Sequence, residues 1–240
     1  MNSLIKTVYF LLNGLFRKKT SRKVSYSQGG IDLLLNHIFR NKNDGIYIDV
    51  GCNHPIKNNN TYILHKKGWS GINIDLDKSS IEQFMIYRPN DANINSCVSK
   101  EHGLADLYYY HEKSPVNTIN KNVSIHHKNK HREVIPIKTV TLNSVIEDSK
   151  FKNHKIDLLS IDVEGSELDV LKGFNLDKYR PDIIVVEFLD LKIKKLELVN
   201  QDVKTVLNSE IYKLLLKNNY HFVNFVHSDL VFASSVIRNF

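Results

Sequence analysis

The stretch LLSIDVEG occupies residues 158–165 and decides the fold, because an apolar run ends there in two acids and a glycine. Parallel strands covered on both faces are almost continuously apolar, and ligands bind outside the carboxyl ends of such strands. If the strand stays extended through Asp162 and Glu164, both side chains point to one face, because strand side chains alternate with a period of two. The stretch therefore predicts a buried parallel strand that ends at a functional site.

A helix is predicted to follow this strand. Ser166 can cap it, Asp169 is the acidic third residue of a capping box, and Gly173 can end it. On a structural interpretation, the two preceding acids only cap or brace this turn. Desolvated neighbouring carboxylates, however, repel each other unless a proton, a cation or a substrate donor lies between them. Both interpretations of the pair stay open at this point.

Composition is that of one α/β domain. The chain has 240 residues, 42% of them hydrophobic and 25% charged, which is enough for a sizeable core. The net charge of +7 favours acidic partners such as phosphates, anionic lipids, nucleic acid or acidic glycans. The basic residues are scattered, so nucleic acid is not expected. Cys52 and Cys97 form no CxxC pair, so we expect no disulfide framework or zinc site, and a cytoplasmic location fits.

Seven strand-like runs alternate with helical patterns along the chain. They cover residues 45–50, 71–76, 92–98, 156–161, 183–188, 221–226 and 230–234. Such alternation predicts βαβ units and a mostly parallel sheet. The last two runs are too close for a crossover helix, so they are predicted to form an antiparallel hairpin. A parallel sheet that ends in such a hairpin fits a class I methyltransferase better than a dehydrogenase.

Two regions depart from this alternation. Residues 100–141 are predicted to form a small insert, with accessory strands at 107–110 and 134–140 around a polar loop at 114–132. Such a long loop is usually functional, and we interpret it as a mobile substrate lid or acceptor-binding element. Its histidines have no acidic or cysteine partner at ligand spacing, so they are not expected to bind metal.

The other region is an N-terminal segment at residues 1–40, which precedes the main domain at 41–240. Within residues 1–23, apolar residues recur at helical spacing and a basic run follows. This pattern is compatible with an in-plane anchor on an anionic inner membrane face. A helix packed on the domain's own surface, or on a second copy in a homo-oligomer, is the somewhat favoured alternative. The segment is too short for a comfortable membrane span, and its charges follow the apolar region, unlike those of a signal peptide.

Two strand ends indicate an adenosine cofactor. Asp49 and Gly51 lie where the first strand enters a tight turn, and glycine lets the backbone approach a ligand closely, although the GxGxxG spacing is absent. Residues 58–61 follow and can cap a helix that extends to Lys67. The N-terminus of such a helix favours a carboxylate. Asp75 ends the second strand, where a carboxylate accepts both O–H groups of a ribose diol.

Five motifs in a fixed order then resemble a known family. They are DVGCNHP at 49–55, NNTY at 59–62, GWSGINID at 68–75, TLN at 141–143 and SIDVEGSE at 160–167. Together they resemble the FkbM family of S-adenosylmethionine-dependent methyltransferases over about residues 45–187, and more faintly to the terminal hairpin. The first turn departs from the family pattern at Cys52, where alanine is commoner, and in lacking a second glycine near His54.

The resemblance implies a Rossmann-like class I methyltransferase fold and O-methylation, often of sugars in polysaccharide or natural-product pathways. We expect a sugar, nucleotide-sugar or glycan acceptor. The cofactor-binding residues expected are Asp49, Gly51, Asn53, Asn60, Thr61, Asp75 and Ser96.

Methyl transfer to a hydroxyl requires alignment of the reacting groups and removal of a proton. Asp162 is the leading candidate for a base or an orienting acceptor, and Glu164 supports it or shares a divalent cation with it. No other metal site is expected. His54 is the second candidate base, because its pKa lies near neutrality. The side chains of Glu187, His227 and Asp229 are predicted to line the acceptor pocket.

Aromatic residues give weaker signals. Trp69 and the run Tyr108–Tyr110 can stack on adenine or sugar, although core packing is favoured for Trp69. Two alternative functions stay open: a basic RNA-binding or RNA-modifying protein, and an inactive membrane-associated scaffold.

Overall fold

The computed structural model describes residues 3–21, 23–126, 130–189 and 203–238, and the elements below belong to these residues. The strands are β1 (Ile46–Val50), β2 (Ser70–Asp75), β3 (Ala92–Asn95), β4 (Cys97–Val98), β5 (Gly103–Tyr109), β6 (Glu133–Val140), β7 (Leu158–Ile161), β8 (Ile183–Glu187), β9 (Tyr220–Val226) and β10 (Asp229–Ser234). The helices are α1 (Ser3–Ser21), α2 (Ile31–Ile38), α3 (Tyr62–His65), α4 (Lys78–Tyr87), α5 (Lys121–His126), α6 (Leu142–Glu147), α7 (Glu167–Lys172), α8 (Leu176–Tyr179), α9 (Val203–Asn208), α10 (Glu210–Lys217) and α11 (Ser235–Arg238).

The main sheet has seven strands in the order β3-β2-β1-β7-β8-β10-β9. Strands β1, β2, β3, β7 and β8 are parallel, and β10 pairs antiparallel with both β8 and β9. The predicted Rossmann-like α/β fold with a C-terminal antiparallel hairpin is confirmed. The chain winds outward from β1 to β3 and then returns to β7. The crevice outside the carboxyl ends of β1 and β7 is therefore the expected place for a ligand.

Apolar residues cover both faces of this sheet. On one face, Ile48 and Leu159 join a large core with residues of α6, α7 and α10. On the other face, Tyr47 packs with α2 and with Trp69, which is 1% exposed. Neighbouring residues of one strand thus enter opposite cores, which explains why the strands are apolar runs without alternation. Helix α2 belongs to this core through Ile31, within the predicted N-terminal segment.

The predicted single strand at residues 92–98 is wrong, because the chain changes sheets inside it. The N–H of Ser96 donates to the carbonyl oxygen of Asp75 at 2.9 Å, beside the end of β3. Cys97 and Val98 then form β4, which pairs with β6 instead of β2. Both cysteines are buried and free of disulfides.

The insert contains a separate three-stranded sheet in the order β4-β6-β5. Its two accessory strands lie where the sequence predicts them, although β5 begins four residues earlier, at Gly103. The loop between them is not wholly irregular, because α5 forms inside it.

Two predicted helix caps are wrong. The Ser166 side chain does not cap α7; instead its carbonyl oxygen accepts from the N–H of Asp169 at 3.1 Å. Thr61 precedes α3 without capping it, because its hydroxyl turns inward, and α3 ends at His65 before the predicted Lys67. Both side chains were assigned to local capping, but the Thr61 hydroxyl bonds to Asp49, which is distant in the chain.

Helix α1 leaves its apolar side chains in solvent, with exposed fractions from 47% for Val8 to 72% for Leu4. This finding contradicts packing of α1 on the domain's own surface. Every helix in the described part of the chain is too short or too polar to traverse a bilayer.

Candidate active site

A cleft of about 1160 Å³, its open mouth included, lies at the carboxyl ends of β1, β2, β7 and β8. Seven predicted site residues line it: Gly51, Asn53, Asn60, Asp75, Ser96, Asp162 and Glu164. The insert adds Ser114, Pro115, Asn117 and Ile119 to its wall.

Asp75 is held on the cleft wall by backbone donors. Its Oδ2 accepts from the N–H of Asn53 at 2.8 Å, and its Oδ1 accepts from the N–H of Asp77 at 2.8 Å. Burial raises the pKa of Asp75 to about 6. Each carboxylate oxygen has two lone pairs, so one on each remains for a ligand. A fixed carboxylate with two spare acceptor positions suits the adjacent hydroxyls of a ribose.

Close packing between two turns of the protein requires a glycine at position 51. Its φ is 79°, and a Cβ there would lie 1.7 Å from the carbonyl oxygen of Asp162. Any other residue would push apart the turn after β1 and the turn after β7. Close backbone contact at Gly51 therefore fixes the position of Asp162 relative to the cofactor side of the cleft.

Asp49 and Thr61 do not line the cleft, although the sequence placed both at the cofactor. They lie behind it in a buried network, where the Thr61 hydroxyl donates to Asp49 Oδ2 at 2.8 Å and Asn59 Nδ2 donates to the same oxygen at 3.1 Å. Burial raises the pKa of Asp49, and Arg88 partly opposes this effect. These residues support the wall of the cleft.

Arg88 holds this network together and was missed by the sequence reasoning. Its side chain is 0% exposed. It donates to the carbonyl oxygen of Pro55 at 2.6 Å, to Asn59 Oδ1 at 2.7 Å and to Thr61 Oγ1 at 2.8 Å. It thus fastens the loop at residues 53–61 to the sheet. No local sequence signal distinguishes it from a solvated arginine at the end of a helix.

His54 is not brought to the acids. Its Nδ1 accepts from the N–H groups of Ile56 and Lys57, both at 3.0 Å, and the residue does not line the cleft. Burial, Lys57 and then Lys113 lower its pKa. The imidazole shapes its own loop.

Asp162 and Glu164 were predicted to lie on one face of an extended strand, but the strand ends at Ile161. A turn brings the two side chains together instead. Glu164 has a φ of 55°, a conformation uncommon outside glycine. Glu167 braces the turn, because its Oε1 accepts from the N–H of Val163 at 3.1 Å and of Gly165 at 2.9 Å. Burial raises the pKa of Glu167 to about 7. This bracing role was not predicted.

Glu187 and Asp229 extend the acidic pair into a cluster. Ile161 is in register with Val186 of β8, so Asp162 and Glu187 follow neighbouring strands at the same level. Asp229 faces Glu187 in the antiparallel register of β10. Both line the cleft with His227, as predicted.

The pKa values of these carboxyl groups rise because they are buried beside one another. Burial raises the pKa of Asp162 to about 6, and burial with the Asp162 charge raises that of Asp229 to about 8. The pKa values of Glu164 and Glu187 lie well above their usual range for the same two reasons. The cluster cannot carry its full charge at neutral pH without a counter-charge.

The insert connects the two ends of the cleft. The Thr118 hydroxyl donates to the carbonyl oxygen of Glu164 at 2.8 Å, and Asn120 Nδ2 donates to that of Gly165. At the cofactor side, the N–H of Lys113 donates to Asp77 Oδ2 at 2.7 Å. The insert therefore covers the cleft and touches the acidic turn. Trp69 and Tyr108–Tyr110 do not line the cleft.

Comparison with known proteins bears on the family to which the chain belongs. No curated protein matches the chain significantly. Among solved structures, the crystal structure of the small RNA methyltransferase HEN1 is similar to 90% of this chain at 12% identity with a TM-score of 0.41, and the chain spans 27% of that protein. A model of the methyltransferase FkbM domain matches residues 49–222, well over half of the chain. The chain therefore belongs to the FkbM methyltransferase family, as its motifs predicted.

Proposed function

We propose that the protein is an S-adenosylmethionine-dependent O-methyltransferase that acts on a hydroxyl of a sugar or glycan in polysaccharide or natural-product biosynthesis. The observation that carries the proposal is a single cleft with the diol-accepting carboxylate of Asp75 at one end and a carboxyl cluster around Asp162 at the other. Family membership supports methyl transfer.

The cofactor side of the cleft fits S-adenosylmethionine, which when bound supplies an electrophilic methyl group. Asp75 would accept the ribose hydroxyls, and Ser96 lies beside it on the wall. Gly51, Asn53 and Asn60 would surround the methionine end. Asp49 and Thr61 contribute by holding this wall from behind.

Asp162 would orient the acceptor hydroxyl and take its proton on a carboxylate oxygen. A pKa of about 6 leaves Asp162 mostly ionised at neutral pH and makes it a stronger base than an ordinary aspartate. Glu164 shares this end of the cleft, and the insert contacts the turn that carries it. The loop contacts of His54 give it no role in the proton transfer we propose.

The carboxyl groups of the cleft support a polyhydroxyl acceptor over a nucleic acid. The acceptor end is lined by Asp162, Glu164, Glu187 and Asp229. Sugar hydroxyls can donate hydrogen bonds to these oxygens, whereas the phosphate oxygens of a nucleic-acid backbone can only accept them.

The test is incubation with isotopically labelled S-adenosylmethionine and a panel of nucleotide-linked sugars, capsular glycans, lipid-linked glycans and a small RNA. Label should enter a glycan, and Asp162→Asn should abolish the transfer. Label confined to the RNA would overturn the proposed acceptor. No label in any acceptor, combined with no cofactor binding, would overturn the enzymatic function and leave the inactive scaffold.

We further propose that α1 attaches the protein peripherally to an anionic membrane, at the cytoplasmic face. Residues 1–31 contain six Lys and Arg and no Asp or Glu, and the apolar side chains of α1 are exposed. Apolar insertion and attraction to anionic lipid then act together. Residues 41–240, with the insert at 100–141 and with α2 packed against them, form the catalytic domain in this proposal.

Liposome co-sedimentation before and after deletion of residues 1–23 tests the attachment. The deletion leaves α2 intact. It also keeps the Ser25 hydroxyl and the Tyr26 N–H, which donate hydrogen bonds to the buried carboxylate of Asp32. Full-length protein should pellet with phosphatidylserine vesicles and not with phosphatidylcholine vesicles. Equal pelleting of the two proteins would reject the proposal, and self-association that is lost with the deletion would favour a homo-oligomer instead.

A further inference from the structure

The acidic end of the cleft brings three carboxylates together from two neighbouring strand ends. One carboxylate oxygen from each of Asp162, Glu164 and Glu187 lies within 4.8 Å of the other two. Asp162 follows β7 and Glu187 ends β8, while the turn that carries Glu164 is held by Glu167 and Thr118. The cluster is therefore built by backbone register and by a braced turn, and does not depend on flexible surface side chains.

An independent observation is the lone Oε2 atom of Glu187. The residue is 9% exposed, and no N–H or O–H donor in the described part of the chain reaches this oxygen. Glu187 lines the cleft, where its neighbour is the carboxyl group of Asp162. Two buried acceptors that face each other require a proton or a cation between them.

The chemistry of the donor set selects the kind of cation. All three groups offer oxygen, and no His or Cys belongs to the cluster. Hard cations such as Mg²⁺ and Mn²⁺ prefer oxygen ligands in a six-coordinate arrangement. Three carboxylate oxygens fill half of such a shell. The remaining positions would be available to water and acceptor oxygens.

We propose that Asp162, Glu164 and Glu187 bind one divalent cation of the Mg²⁺ class, which holds an acceptor bearing two adjacent oxygens, such as a vicinal diol. The acceptor part rests on the proposed function, whereas the cation site does not. Asp229, opposite Glu187 at the start of β10, is not required as a ligand. One carboxylate oxygen of Asp162 would face the cation, and its other oxygen would remain available to take the acceptor proton.

The direct test measures Mn²⁺ binding to the metal-stripped full chain in the absence of S-adenosylmethionine. Calorimetry and electron paramagnetic resonance both report this binding. One site with a Kd of about 0.1 mM is expected for an open, three-carboxylate site. Glu187→Gln preserves the shape of the side chain and should weaken binding at least tenfold. The matched control Glu82→Gln alters an exposed glutamate of α4 and should leave binding unchanged.

Wild-type protein provides a second measurement that needs no variant. Saturating Mg²⁺ should raise its Tm by about 5 °C, because a ligand that binds only the folded state stabilises it. The inference is overturned if no Mn²⁺ binds at 5 mM, or if Glu187→Gln and Glu82→Gln bind Mn²⁺ equally well. It is also overturned if a simple alkylamine raises the Tm and Mg²⁺ does not. Methyl transfer that persists in excess chelator would overturn the cation site and leave the proposed function standing.

Discussion

Replacement of Arg88 by methionine is expected to destabilise the protein strongly. The guanidinium group is 0% exposed and makes three hydrogen bonds of 2.6 to 2.8 Å, to Pro55, Asn59 and Thr61. Methionine fills a similar volume and makes none of them. Three buried acceptors then lose the guanidinium as a donor, and Asp49 loses its nearby positive charge.

The size of the effect follows from these contacts. A hydrogen bond from a charged donor contributes about 1.5 to 3 kcal/mol, so three give a gross loss of roughly 5 to 9 kcal/mol. Relief of the buried charge offsets several kcal/mol, and we expect a net loss of about 3 to 5 kcal/mol in the free energy of unfolding. Arg88→Lys keeps the charge but loses the fork of donors, so its loss should be intermediate.

Urea denaturation followed by fluorescence measures this loss. Trp69 is the single tryptophan of the chain and is buried, so its emission reports unfolding. The matched control Arg40→Met alters an exposed arginine and should change stability by less than about 0.5 kcal/mol. A loss below about 1 kcal/mol for Arg88→Met would refute the argument that this residue fastens the loop at 53–61 to the sheet.

Three further predictions concern the cleft. Asp162→Asn should lower kcat by about 10²- to 10⁴-fold while the Kd for S-adenosylmethionine stays within about threefold, and near-normal turnover would remove Asp162 from the chemistry. In metal-free buffer, the folded-state pKa of Asp229, about 8 against a usual 3.8, means that its contribution to stability is present at low pH and is lost as the pH rises towards 8. The stability of Asp229→Asn relative to wild type should thus increase by about 2 to 4 kcal/mol between pH 5 and pH 8, and parallel pH curves from chemical denaturation would contradict this. Thr118→Val removes the hydrogen bond to Glu164, so the KM for the acceptor should rise about tenfold while the affinity for the cofactor stays unchanged. Steady-state kinetics in which the KM for the cofactor rises and that for the acceptor does not would place the insert at the cofactor.

Much of the fold was predictable because it depends on local pattern. The seven main strands, their parallel arrangement and the terminal hairpin follow from apolar runs and the lengths between them. The strand at 92–98 was predicted wrongly, since nothing local shows that Ser96 bonds back to Asp75 while Cys97 joins β6. Sheet membership depends on partners distant in the chain.

The lining of the cleft was predictable where an acid stands at the end of a parallel strand, as for Asp75 and Asp162. Residues that act through burial were not. Asp49 was predicted to touch the cofactor but lies in the buried network held by Arg88, and Arg88 itself was overlooked. Glu167 was quoted only within a motif, although it braces the acidic turn. Such roles depend on which polar groups become buried and need hydrogen-bond partners within the protein. No short sequence motif shows which groups these are.

Calorimetric titration with S-adenosylmethionine tests the central claim most directly. We predict one site for wild-type protein, with a Kd in the range of about 1 to 100 µM, and at least a tenfold weaker Kd for Asp75→Asn, because the amide can no longer accept both ribose hydroxyls through two carboxylate oxygens. Asp177→Asn, an exposed aspartate on α8, is the matched control and should bind normally. No heat of binding at millimolar cofactor, with correctly folded protein, would contradict the claim that this cleft binds S-adenosylmethionine.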